Sequence, residues 1–236
     1  MTRAVFALLA LVGVSGAWAG PATAVPPARQ GSPEPLPSVL EALRARSAQD
    51  TVGDGAYAFA LRAFDEGRFD EAQLRFQEFT QLYPRNLRMN DALSTVLLIR
   101  GNREFKDEPL RIYATAEALR RGGQADSASA LARSGLVRFP GARIRDHWNW
   151  LLAEIASGRG DHAGAIAFAV AVADTTQKSR LAPYALKLAA EETLAMSGDP
   201  TRALRFYQDL LERYPGSPLA PEVRARALEL RRKLQL

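Results

Sequence analysis

Apolar residues recur at helical spacing along most of the chain. Leu74, Phe76, Phe79 and Leu82 form one such set, Leu93, Val96, Leu97 and Ile99 a second, and Phe206, Leu210 and Leu211 a third. A return every three or four residues places side chains on one face of a helix. No segment alternates apolar and polar with period two, so no sheet is expected. Superimposed on the helical pattern is a punctuation that recurs four times, a Gly followed after four residues by an Ala. The pairs are Gly67 and Ala72, Gly123 and Ala128, Gly160 and Ala165, Gly198 and Ala203. Three of them continue with a proline twelve residues after the Ala, at Pro84, Pro140 and Pro215, each preceded by an aromatic residue (Tyr83, Phe139, Tyr214). The third pair has Gln177 at that point.

Each mark has a physical reading. Glycine ends a first helix where the chain must adopt a left-handed conformation. Alanine sits where two helix backbones approach too closely for a larger side chain. Proline stops the second helix. The chain therefore reads as helical hairpins in units of about 53–86, 109–141, 142–178 and 179–216, with a capping helix in 217–236 whose basic end (Arg231, Arg232, Lys233) suits a helix C-terminus. Gly67 and Gly123 lie 56 residues apart, against 37 and 38 for the next two intervals. The surplus falls in 87–108, read as a single unpaired helix and a charged loop that kink the stack.

These marks resemble tetratricopeptide repeats, whose period is about 34 residues. The run Tyr214-Pro215-Gly216-Ser217-Pro218-Leu219-Ala220 is similar to repeats of bacterial envelope proteins, of the type found in the Tol-Pal cell-division coordinator and the outer-membrane assembly lipoprotein. The resemblance spans about residues 53–236. It implies an all-α helical-hairpin solenoid and a non-enzymatic scaffold that binds a protein or peptide partner in cell-envelope assembly or maintenance. A self-assembling structural array and an enzyme accessory subunit are the alternatives.

The N-terminus carries a different pattern. Arg3 is followed by an uncharged apolar run from Ala4 to Val14 and by Ala17-Trp18-Ala19 before Gly20. The run falls short of the roughly 20 apolar residues that a membrane-spanning helix needs, and its order is that of a secretory signal over 1–19. Ala22-Thr23-Ala24 offers a second cleavage point. Residues 20–37 hold six of the 14 prolines and read as an extended linker. Residues 38–52 read as a short helix, capped by Ser38 with Glu41, and a loop to Gly53. Gly53-Asp54-Gly55 reads as a turn at the start of the next helix.

Composition narrows the function. The 236 residues include no Cys and two His (His147, His162), which removes disulfides, thiolate chemistry, a lipidated cysteine and histidine-rich metal centres. Catalytic residues, cofactors and metals are accordingly not expected. A hydrophobic share of 47% with 24% charged residues fits neither disorder nor a membrane-embedded chain. The net charge is +5 and the pI near 9.8. Basic and acidic residues interleave rather than cluster, so a nucleic-acid partner is not expected. Gly158-Arg159-Gly160 lacks the Lys and Ser or Thr of a phosphate loop. Localisation is expected to be periplasmic; the oligomeric state is open.

Aligning the units on their glycines puts Tyr57, Tyr113, Trp150 and Leu188 at one first-helix position. Four residues on stand Leu61, Glu117, Glu154 and Glu192. With His147 beside Trp148 and Trp150, these residues are the candidates for a peptide groove. An aromatic ladder beside an acidic stripe would take an apolar peptide carrying Arg or Lys.

Overall fold

A computed structural model describes residues 39–175 and 179–235, with side chains described from Asp50 onward and not at Thr175. The expected signal and linker, and Gln177, lie outside this range. Among the described residues there are ten α-helices and no strand. They are α1 (Val39–Asp65), α2 (Phe69–Leu82), α3 (Met89–Gly101), α4 (Glu108–Arg121), α5 (Ala125–Arg138), α6 (Arg145–Gly158), α7 (His162–Thr175), α8 (Ala182–Ser197), α9 (Pro200–Arg213) and α10 (Ala220–Lys233). Four hairpins, α1/α2, α4/α5, α6/α7 and α8/α9, stack in chain order, and α10 closes the end against α9.

The punctuation does what its chemistry requires. Gly67, Gly123, Gly160 and Gly198, at the four hairpin turns, have φ of +72°, +77°, +72° and +64°. A side chain would be strained at such a φ. Ala72, Ala128, Ala165 and Ala203 are fully buried where the second helix meets the first. α2, α5 and α9 end one residue before Tyr83, Phe139 and Tyr214, whose amides bond back to Phe79, Gly135 and Leu210. The following prolines forbid a further turn. α9 also has a side-chain cap, as Asp199 accepts from the amides of Thr201 and Arg202 at 2.9 and 3.1 Å.

Two expectations about the first third of the chain need revision or extension. The loop expected before Gly53 is absent, because α1 runs unbroken from Val39 to Asp65. No proline interrupts that stretch, and Gly53 is used inside the helix for close approach. A Cβ there would lie 2.8 Å from Asn86 Nδ2 and 3.2 Å from the Tyr83 ring. The turn read at Gly53-Asp54-Gly55 is thus a helical segment docking on the α2–α3 corner. The unpaired helix of 87–108 is present as α3. It packs on α2, while α4 leaves it and packs on α1. The connection uses a short 3₁₀ turn, Phe105–Asp107, with all three residues at positive φ (50°, 54°, 63°). Conformations of this kind cost about 1 kcal/mol or more each in non-glycine residues. They are held by Arg103, which pairs with Asp107 and with Asp70, each at 2.7 Å.

Candidate functional site

The expected groove residues divide into three groups. Tyr57 belongs to the interior. It is 8% exposed, with its ring edge-on to Phe76 at 5.5 Å and to Phe79 at 5.6 Å, so it faces its own hairpin partner. Burial, and then the charge of Asp91, push its hydroxyl above the usual tyrosine range. Glu192 is also buried, at 8% exposure, with Oε1 accepting from Ser157 Oγ and Oε2 against His162 Nδ1, both at 2.5 Å. It ties α8 to the turn between α6 and α7 and offers no free carboxylate. His162, the first residue of α7, is the other half of that tie.

The remaining candidates on α4 and α6 do come together. Tyr113 lies edge-on to His147 at 5.6 Å. Glu117 is held by its helix neighbour Arg120 through two bonds of 2.6 and 3.0 Å. Glu154 faces the same pair. Burial raises its carboxyl above the ordinary range and Glu117 adds to this, while Arg120 and a hydrogen bond from Trp150 oppose it. Trp150 and Leu188 are half-buried in one cluster with Ala153, Ala169, Val172, Ala185 and Ala189. Glu154 and Glu192 therefore turn toward the unit before them, while Glu117 is held on its own helix. They do not form the exposed acidic stripe that equal register suggested.

The open concavity lies beside this patch. A groove of about 1190 Å³ runs between the C-terminal half of α3, the starts of α6 and α8, and the corner from Arg213 to Pro218. His147 and Trp150 line it; the other expected residues do not. Its apolar surface comes from Leu97, Leu181, Tyr184 and Tyr214 among others, and its charged surface from Arg143, Arg180, Arg213 and Asp146. Asp146 is already engaged. It is 9% exposed and accepts from Ser179 Oγ at 2.6 Å, from the His147 amide at 2.8 Å, and faces His147 Nδ1 at 2.7 Å. Arg213 donates to the Ala173 carbonyl at 2.7 Å. The groove is thus cationic, opposite in sign to the sequence expectation.

A signal for this reversal was present. Lys106, Arg143 and Arg180 each stand two residues before a first helix (α4, α6, α8) and are spaced 37 and 37 residues apart. Alignment inside the helices passed over them because they sit in the corners.

Burial works against ionising Asp146, but the bonds from His147 and Ser179 together with the His147 charge outweigh it. Its carboxyl sits below the ordinary carboxylate value near 3.8. A depressed carboxyl stabilises the fold above that value and loses the contribution as the pH falls below it. Asp146→Asn should therefore cost about 1 kcal/mol at pH 7, and the gap to the native chain should narrow as the pH falls below about 4. Thermal melts across that range check it; a gap independent of pH would show that the carboxylate charge has no part.

Residues 186–217 match the tetratricopeptide repeat family. The match runs from the second turn of α8 through α9 to Ser217, the stretch with Gly198, Ala203 and Pro215. The fold is a tetratricopeptide-type helical-hairpin solenoid. No curated protein matches the chain. Tetratricopeptide stacks serve as protein-interaction scaffolds, so the groove is read as a surface for a protein partner. Among the described residues no group of three or more His, Asp or Glu could hold a metal ion. No described helix is long and apolar enough to cross a membrane.

Proposed function

We propose that the protein is an exported scaffold whose groove holds a segment of a partner protein in the bacterial cell envelope. The groove carries this reading, since a concavity of about 1190 Å³ is lined by aromatic and aliphatic side chains from four separate stretches of the stack. Such surfaces bind peptides through a few buried aromatic anchors. Trp150 is the anchor of choice, backed on one side by the α6–α8 cluster and open to the groove on the other. Export rests on Arg3, the apolar run Ala4–Val14 and Ala17-Trp18-Ala19. The envelope pathway rests on the aromatic-Pro-small corner at Tyr214-Pro215-Gly216.

The test is recovery of a partner from periplasmic extract on the immobilised protein, whose mature N-terminus should be Gly20 or Val25. Trp150→Ala should weaken partner binding about thirtyfold, the equivalent of about 2 kcal/mol for a hot spot, with the helical circular dichroism retained. Because Trp150 is half-buried, Tyr184→Ser serves as a second variant at a position 43% exposed. Equal recovery by the native chain and both variants would place the partner elsewhere.

A further inference from the structure

We propose that the partner segment is acidic, with carboxylates flanking apolar side chains; this rests on the groove reading above and specifies its occupant. Three arginines line the groove against one aspartate, and that aspartate is consumed by Ser179 and His147. The Arg143 side chain is 77% exposed, its nearest carboxylate being Glu104 at 4.0 Å, and Arg180 is exposed. The same groove is lined by apolar surface from Leu97 of α3, Trp150 and Tyr184. Guanidinium forks pair with carboxylates in two-point fashion, so they select for acidic partners more sharply than lysines would.

The arrangement also has a period. Lys106, Arg143 and Arg180 precede successive first helices at 37-residue intervals, and the latter two line the groove. An extended chain rises about 3.3 Å per residue, so carboxylates three residues apart recur about every 10 Å along one edge of a bound segment.

Two other occupants fit worse. The segment 20–37 carries one Arg and one Glu and so has no net charge to match the groove. A second copy of the chain, at net +5, would bring like charge to a cationic surface.

The experiment uses the full chain and three fluorescein-labelled 14-residue peptides of one apolar framework, with Glu, Gln or Lys at every third position. Fluorescence anisotropy should show the Glu peptide binding at least tenfold tighter than the Gln peptide, with affinity falling as salt rises, and the Lys peptide weakest. Replacing Arg143, Arg180 and Arg213 together by Gln should remove the preference for Glu while leaving the Gln peptide within twofold. Arg213 also holds a backbone carbonyl, so the Arg143→Gln, Arg180→Gln double variant, altered only at exposed positions, must show at least a threefold loss for Glu. A Gln or Lys peptide that binds as tightly, with binding still lost in Trp150→Ala, overturns the acidic partner alone. No Trp150-dependent binding of any peptide overturns the groove reading and this inference with it. Tighter groove binding by a synthetic 20–37 peptide, or dimers by light scattering that the arginine variants abolish, assigns the site to the chain itself and overturns the proposal.

Discussion

Replacing Trp148 by alanine is expected to lower the stability of the fold by about 3–5 kcal/mol, the range for emptying a large aromatic site in a core. Trp148 is fully buried and is among the largest side chains in the interior. It begins α6 but is seated against α5, where Gly135 leaves the room it occupies. A Cβ on Gly135 would lie 2.7 Å from two carbons of the indole and 3.1 Å from Ile112 Cγ2. The reciprocal Gly135→Ala should therefore also destabilise, although alanine is the better helix former by about 1 kcal/mol. The indole Nε1 is buried without a hydrogen-bond partner. Trp148→Phe, which removes that orphaned donor along with some volume, should consequently cost less than Trp148→Ala. Denaturant titrations of the three proteins decide the matter. A loss under about 1 kcal/mol for Trp148→Ala would mean that the α5–α6 seam is loosely packed.

The second large effect is expected at the small residues of the hairpins. Ala72→Leu and Ala203→Leu should each cost about 1–3 kcal/mol through overpacking. Both positions are fully buried, and a leucine must push α2 from α1 or α9 from α8. Arg205→Lys, at an exposed position of α9, should stay within about 0.5 kcal/mol. Equal melting temperatures for the leucine and lysine variants would break the link between the Gly–Ala punctuation and close helix approach.

The hairpins were legible because their marks answer to backbone constraints that one residue type meets. A φ near +70° at Gly198 or Gly67 excludes side chains, and a fully buried contact at Ala203 excludes bulk. The groove was less legible because side-chain direction depends on which helices become neighbours. Glu117, Glu154 and Glu192 share one register, yet the first is taken by Arg120, the second lies between Arg120 and Trp150, and the third meets Ser157 and His162. Tyr57 shares the register of Trp150 but turns inward, because α1 carries the aromatic face of α2. The groove itself joins residues 94–102, 143–150, 179–184 and 213–218. No local pattern links such distant stretches. Likewise, the continuity of α1 through Gly53 and Gly55 reflects a docking contact with Tyr83 and Asn86 that outweighs the helix-weakening effect of glycine.

The apolar interior of the stack is divided rather than single. One cluster spans α1 to α6, a second joins α6, α7 and α8, and a third gathers α8, α9 and α10 with Ala173. Each shares only a helix or two with the next, so tension applied along the chain is resisted hairpin by hairpin and not by the whole molecule at once. The large aromatic side chains are concentrated in the α1 to α6 cluster, with Tyr57, Phe64, Phe69, Phe76, Phe79 and Trp148. The α8 to α10 cluster backs the Arg213–Pro218 wall of the groove, where Tyr214 packs against it. A segment held in the groove would touch all three clusters at once, through Leu98, Trp150 and Tyr214, and so tie together parts that the interior leaves separate.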